Sequence, residues 1–202
     1  MSGHGHGVGH GDEHGGSVNK NIAILISILA LCLAIAETMA KGAQTSSIAS
    51  NVEASNLWAF YQAKTIRQTT LNTAAEQMEV DVALAKDAAV KERLEKRVAA
   101  WKADVARYQS EPKLGPKGEN QGEGRRELQA RAIELGKKRD LYEAKYHQFE
   151  ISSAAFQIAI VLASAYLITS AIYLLWCAGL LGAIGVVFGL IGYFAPLAVH
   201  LF

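Results

Sequence analysis

Hydrophobic and polar positions are sorted along this chain by segment. Residues 151–202, the last 52, include no Asp, Glu, Lys or Arg. A water-facing helix or strand brings polar residues back every few positions. A stretch without charge suits a bilayer, where a charge at the centre costs about 2.5–3.5 kcal/mol. One span takes about 20 apolar residues. The segment therefore predicts two spans, 151–175 and 176–202, turning at Trp176-Cys177-Ala178-Gly179. A third apolar run, Asn21–Ala40, lies between Lys20 and Lys41 with Glu37 as its only charge. It is longer than the apolar region of a signal peptide, and no clean small-x-small cleavage site follows. This predicts a retained span over 20–41.

Between the spans the pattern changes to helical repeats. Residues 43–109 hold no Pro or Gly and are rich in helix formers. Leu71, Ala75, Met78, Val82, Ala85 and Ala89 step by alternating fours and threes, the spacing of a coiled-coil seam. Leu94, Val98, Trp101, Val105 and Tyr108 resume it on a shifted phase, which predicts a stutter near 89–91. Residues 110–124 carry two Pro and four Gly and predict a flexible loop. From 125 to 150 the heptad spacing returns at Leu128, Ala132, Leu135, Arg139, Tyr142, Tyr146 and Phe149, and nothing stops the helix before the next span.

The expected fold is an all-α membrane protein with three transmembrane helices. A long antiparallel coiled-coil hairpin fills 42–150, between the first and second spans. The arms are unequal: 43–109 would measure about 100 Å as one helix and 125–150 about 40 Å. A 15-residue loop reaches at most about 50 Å. The outgoing arm is therefore expected to bend between Gly42 and Leu71, with 43–70 lying on the membrane surface or against neighbouring subunits.

Charge sharpens this picture. Of the 20 Lys and Arg, 19 lie in 41–150, with 16 of the 19 Asp and Glu, so the middle segment carries 19 − 16 = +3. A mixed surface of this kind is a solvated helical face, and no nucleic-acid patch is expected. Lys137, Lys138, Arg139 and Lys145 precede the second span and place the middle segment in the cytoplasm. Cys32 and Cys177 lie in or beside spans and form neither a disulfide framework nor a zinc spacing.

Candidate chemistry is sparse. Residues 1–19 are a His- and Gly-rich, low-complexity tail, expected to be disordered. Its His4, His6, His10 and His14 are candidate ligands for Zn, Ni or Cu. Glu37 and Lys41 have the spacing of a helical ion pair. Gly179, Gly182, Gly185, Gly189 and Gly192 form a stripe for close helix packing, against the second span or another subunit. Trp58, Phe60, Tyr61, Lys64 and Arg67 suggest a membrane-interface anchor or subunit contact. Gln157, Ser164, Thr169 and Ser170 could line a pore or bond between helices. No phosphate loop, nucleophile elbow or HExxH is present.

Two stretches, Asn56–Gln68 (NLWAFYQAKTIRQ) and Phe149–Thr169 (FEISSAAFQIAIVLASAYLIT), resemble the bacterial domain-of-unknown-function family 4337. The resemblance implies a bacterial inner-membrane protein with three spans and no catalytic residues to carry over. The expected function is a non-enzymatic, homo-oligomeric inner-membrane scaffold, in contact with membrane lipid and an unidentified protein partner. The alternative is a channel or transport component built on the polar residues of the second span. In the expected oligomer Trp58, Phe60, Tyr61, Gly182, Gly185 and Gly189 supply interface contacts.

Overall fold

The computed structural model describes residues 13–116, 118 and 121–198. Among them every regular element is a helix: α1 (Glu13–Leu84), α2 (Ala88–Gln109), α3 (Arg125–Thr169) and α4 (Ile172–Phe194). α1, α3 and α4 are long and apolar enough to cross a membrane. The chain divides into two compact units, 1–45 with 141–202, and 46–140.

In the first unit, α3 and α4 pack on the first part of α1. Leu29 and Ala36 of α1 meet Phe156 and Ala159 of α3, with Leu181 of α4 against them. The faces in contact are small-residue faces. Ala155, Ala159 and Ala163 of α3 and Ala178, Gly182, Gly185 and Gly192 of α4 are buried. Small side chains let the helix axes approach closely. Large apolar side chains point outwards instead: Leu31 is 63% exposed, Ile168 87% and Trp176 77%.

α3 runs unbroken from the charged repeat into the apolar segment, as the missing stop signal predicts. The expected turn at Trp176–Gly179 is corrected: those residues lie inside α4, and the chain turns at Ser170–Ala171. Thr169 bonds back to the Ala165 carbonyl, and the Ser170 N–H closes on Tyr166 at 2.8 Å. Ser170 then takes φ 53°, the left-handed conformation that ends a helix. α4 stops before Pro196, which disfavours helical backbone at Ala195. At the other end α1 begins at Glu13, inside the stretch 1–19 read as a tail.

The second unit corrects the two-arm hairpin. The segment 43–109 is not one arm, because α1 ends at Leu84 and α2 starts at Ala88. Asp87 caps α2, its Oδ1 accepting from the N–H of Ala89 at 2.7 Å and of Val90 at 3.2 Å. α2 then runs back along α1: Glu79 pairs with Lys102, and Gln68 bonds to Val105 and Gln109. The phase slip read as a stutter is this reversal. It also removes the length mismatch, since Gln109 ends level with Gln68. Residues 43–70 therefore stay within α1, and Ala54, Leu57 and Lys64 are buried, Leu57 packing with Leu128 and Ala132 of α3.

Candidate functional site

The densest polar arrangement in the second unit forms where α2 ends, α3 begins and both meet α1. Tyr61, Lys64 and Gln68 follow one another at helical spacing, so α1 presents all three on one face. Arg125, at the start of α3, reaches that face. Its Nη2 donates to the Tyr61 hydroxyl at 3.0 Å, and its guanidinium lies 4.9 Å from the Tyr61 ring centroid. Its Nη1 donates to Gln68 Oε1 and to Gln109 Oε1. Gln68 in turn donates to Gln109 Oε1 at 3.1 Å and the Val105 carbonyl at 3.3 Å. One guanidinium fork thus ties α1, α2 and α3 together.

Lys64 is 9% exposed. Its ammonium sits 3.8 Å from Glu111, 4.0 Å from Glu123 and 5.3 Å from the Tyr108 ring centroid. Glu127, equally buried, accepts from the Ser110 hydroxyl at 2.6 Å and the Glu111 N–H at 3.2 Å. Burial opposes its ionisation. The Ser110 hydroxyl, the backbone N–H groups of Glu127 and Glu111 and the charge of Arg126 outweigh that, holding the carboxyl below its ordinary value. The loop 110–124 thus leaves and returns at one place. Gly122 and Gly124 allow it: a Cβ on Gly122 would stand 2.5 Å from the Glu111 carbonyl, and one on Gly124 2.6 Å from Ser110 Cα.

The comparison with known families matches residues 18–195 to Domain of unknown function (DUF4337). The chain belongs to the DUF4337 family. No curated protein and no solved structure matches it. In this DUF4337 chain the aromatic and basic cluster of α1 separates into two faces. Tyr61 and Lys64 turn into the polar junction. Trp58 packs edge-on against Tyr61 with centroids 5.5 Å apart, and Phe60 and Arg67 are exposed. Arg125, Gln109, Ser110 and Glu127, which complete the junction, carry no repeat signal; the nearest hint is the pair of glycines in GEGRRE at 122–127.

The glycine stripe has its partner inside the chain. Gly182 faces Leu29, Gly185 faces Phe156, Gly189 faces Ser152 and Gly192 faces Gln148 and Phe149. Of the two partners open to these glycines, the second span or another subunit, α3 and α1 of the same chain meet Gly182, Gly185, Gly189 and Gly192, and nothing lies within 4 Å of a Cβ at Gly179. Glu37 takes Gln157 of α3 as its hydrogen-bond partner, the amide donating at 3.1 Å, in place of the expected ion pair with Lys41. Ser152 donates to the Gly185 carbonyl at 2.7 Å, and Ser164 and Thr169 bond back to carbonyls of their own helix. His4, His6 and His10 lie outside the described residues, as does the side chain of His14. Among the described residues no cluster of three or more His, Cys, Asp or Glu could hold a metal ion.

Proposed function

We propose that this DUF4337 chain is a non-enzymatic bacterial inner-membrane scaffold that assembles with copies of itself through the outer face of α1. One observation carries the reading. Val52, Asn56, Ala59, Ala63, Ile66, Thr70, Thr73, Gln77, Val80 and Leu84 repeat by fours and threes, none is charged, and all are exposed. They stand about 200° around α1 from Ala54, Leu57, Tyr61, Lys64 and Gln68, the face packed within the chain. A solvated helix of this length ordinarily mixes charges into every face. An uncharged heptad stripe is what a partner helix covers, and a second copy is the simplest source.

The three apolar helical stretches are the membrane spans in this reading, with outward Leu31, Ile168 and Trp176 meeting lipid. The basic residues before the second span put the middle segment on the cytoplasmic side. The channel alternative, built on Gln157, Ser164, Thr169 and Ser170, has less support, since the side chains of the first three bond within the chain. The test uses Ile66→Cys and Val80→Cys in a chain whose Cys32 and Cys177 are replaced by Ser. Mild oxidation in membranes should give covalent dimers at both positions and none at the control Glu95→Cys. Monomers throughout, by cross-linking and by native mass spectrometry, overturn the scaffold. Solute flux through reconstituted liposomes would favour the channel.

A further inference from the structure

We propose that the groove between α1, α3 and α4 holds one acyl chain of an anionic phospholipid, with the lipid phosphate at Lys145. This rests on the reading of these helices as membrane spans. The groove has a volume of about 370 Å³, within the range of about 300–1,000 Å³ typical of small-ligand sites. Ile35 and Met39 form one wall, Phe149 and Phe156 the other, and Gly185 and Gly189 the floor.

The lining is hydrocarbon in character. Ser152 is the polar side chain nearest the floor, and its hydroxyl already donates to the Gly185 carbonyl. Water entering this space finds few partners, whereas an apolar chain loses nothing by entering. Gly185 and Gly189 bring α4 against Phe156 and Ser152 of α3, and the groove runs beside that contact.

Charge complementarity identifies the occupant. Lys145 stands four residues before Phe149, on the same face of α3 and about 6 Å along the axis towards the charged part of the helix. It is half-buried, with its ammonium 5.8 Å from the Tyr142 ring centroid. Lys41 follows the apolar stretch of α1 beyond Met39, and exposed Tyr193 of α4 lies at the same mouth. Of the nearby carboxylates, Glu143 lies about 200° around α3 from Lys145, Glu150 is engaged by the Tyr146 hydroxyl at 3.1 Å and by His147 at 3.7 Å, and Glu37 of α1 accepts from the Gln157 amide. Cations at the end of an apolar groove match a lipid with an acyl tail and a phosphate head. A second copy docked symmetrically here would instead bring its own lysines to the same mouth.

The full-length chain is reconstituted in vesicles of equal phosphatidylglycerol and phosphatidylcholine, extracted in mild detergent and weighed by native mass spectrometry. Wild type should retain one phosphatidylglycerol per chain. Ile35→Trp and Leu190→Trp, at exposed rim positions, should lower that occupancy at least about tenfold with helical content unchanged. Lys145→Gln should keep a lipid but lose about fivefold in preference for the anionic one. Wild type without retained phospholipid overturns the proposal. So does full occupancy in both Trp variants, or an unchanged preference in Lys145→Gln. Carbonate extraction separates the two readings: release from the vesicles sinks the membrane assignment, whereas a retained chain that binds no selective lipid sinks the groove alone.

Discussion

Replacing Glu127 with Gln should open the 110–124 loop. The carboxylate accepts from the Ser110 hydroxyl through one oxygen and from the Glu111 N–H through the other. An amide offers one acceptor and one NH2, so the Glu111 N–H keeps its acceptor only if the Ser110 hydroxyl turns round to accept from the NH2, and both bonds lose the carboxylate charge. Hydrogen bonds to a charged group contribute about 1.5–3 kcal/mol, against about 0.5–1.5 kcal/mol for neutral ones. Local opening should therefore become roughly 10- to 150-fold more frequent. Hydrogen exchange of peptides covering 110–128, followed by mass spectrometry at neutral pH in detergent, reads this directly. The same reasoning fixes a pH dependence. The folded carboxyl titrates below its ordinary value of 4.5. Its stabilisation is present above that value and is lost as pH falls through the lowered one. Wild type should lose loop protection in that acidic window, after correction for intrinsic exchange, and Glu127→Gln should show no matching step. Unchanged protection in the variant at neutral pH would refute the account of the junction.

Gly124→Ala should destabilise the same loop by about 1–3 kcal/mol, because its Cβ overlaps backbone at Ser110; faster proteolysis at 110–124 is the readout. Asp87→Ala removes the cap on α2 and should cost about 1 kcal/mol, measured as faster exchange confined to 85–92. Gln157→Leu leaves Glu37 without its amide donor; thermal unfolding in detergent should fall by a few degrees in the variant, and Glu37→Gln in the same background should restore part of it.

Much of the architecture was legible because one-dimensional signals determine it. Absence of charge marks the apolar stretches, and 3.6-residue periodicity marks the helices. The inner face of α1 at Leu71, Ala75, Met78 and Val82 follows the repeat, as these are its less exposed positions there. Reversals were less legible. The turn at 85–87 has neither Gly nor Pro, only a phase slip and Asp87, and a slip can mean either a stutter or a fold-back. The turn lies at Ser170 and not at Trp176–Gly179 because glycine marks both tight turns and close helix packing, and Gly182, Gly185 and Gly189 serve the packing.

What the sequence alone determined is local: which stretches are helical, which are apolar enough for a bilayer, and which faces are uniform. Only the tertiary structure decided the pairings. Arg125 and Tyr61 lie 64 positions apart in the chain, and Gln157 and Glu37 lie 120 apart. A hydrogen bond between such residues has no period to announce it. Whether the glycine stripe of α4 meets its own chain or another depends on where α3 places Phe156 and Ser152. That is a property of packed surfaces in three dimensions, where shape and not spacing selects the partner.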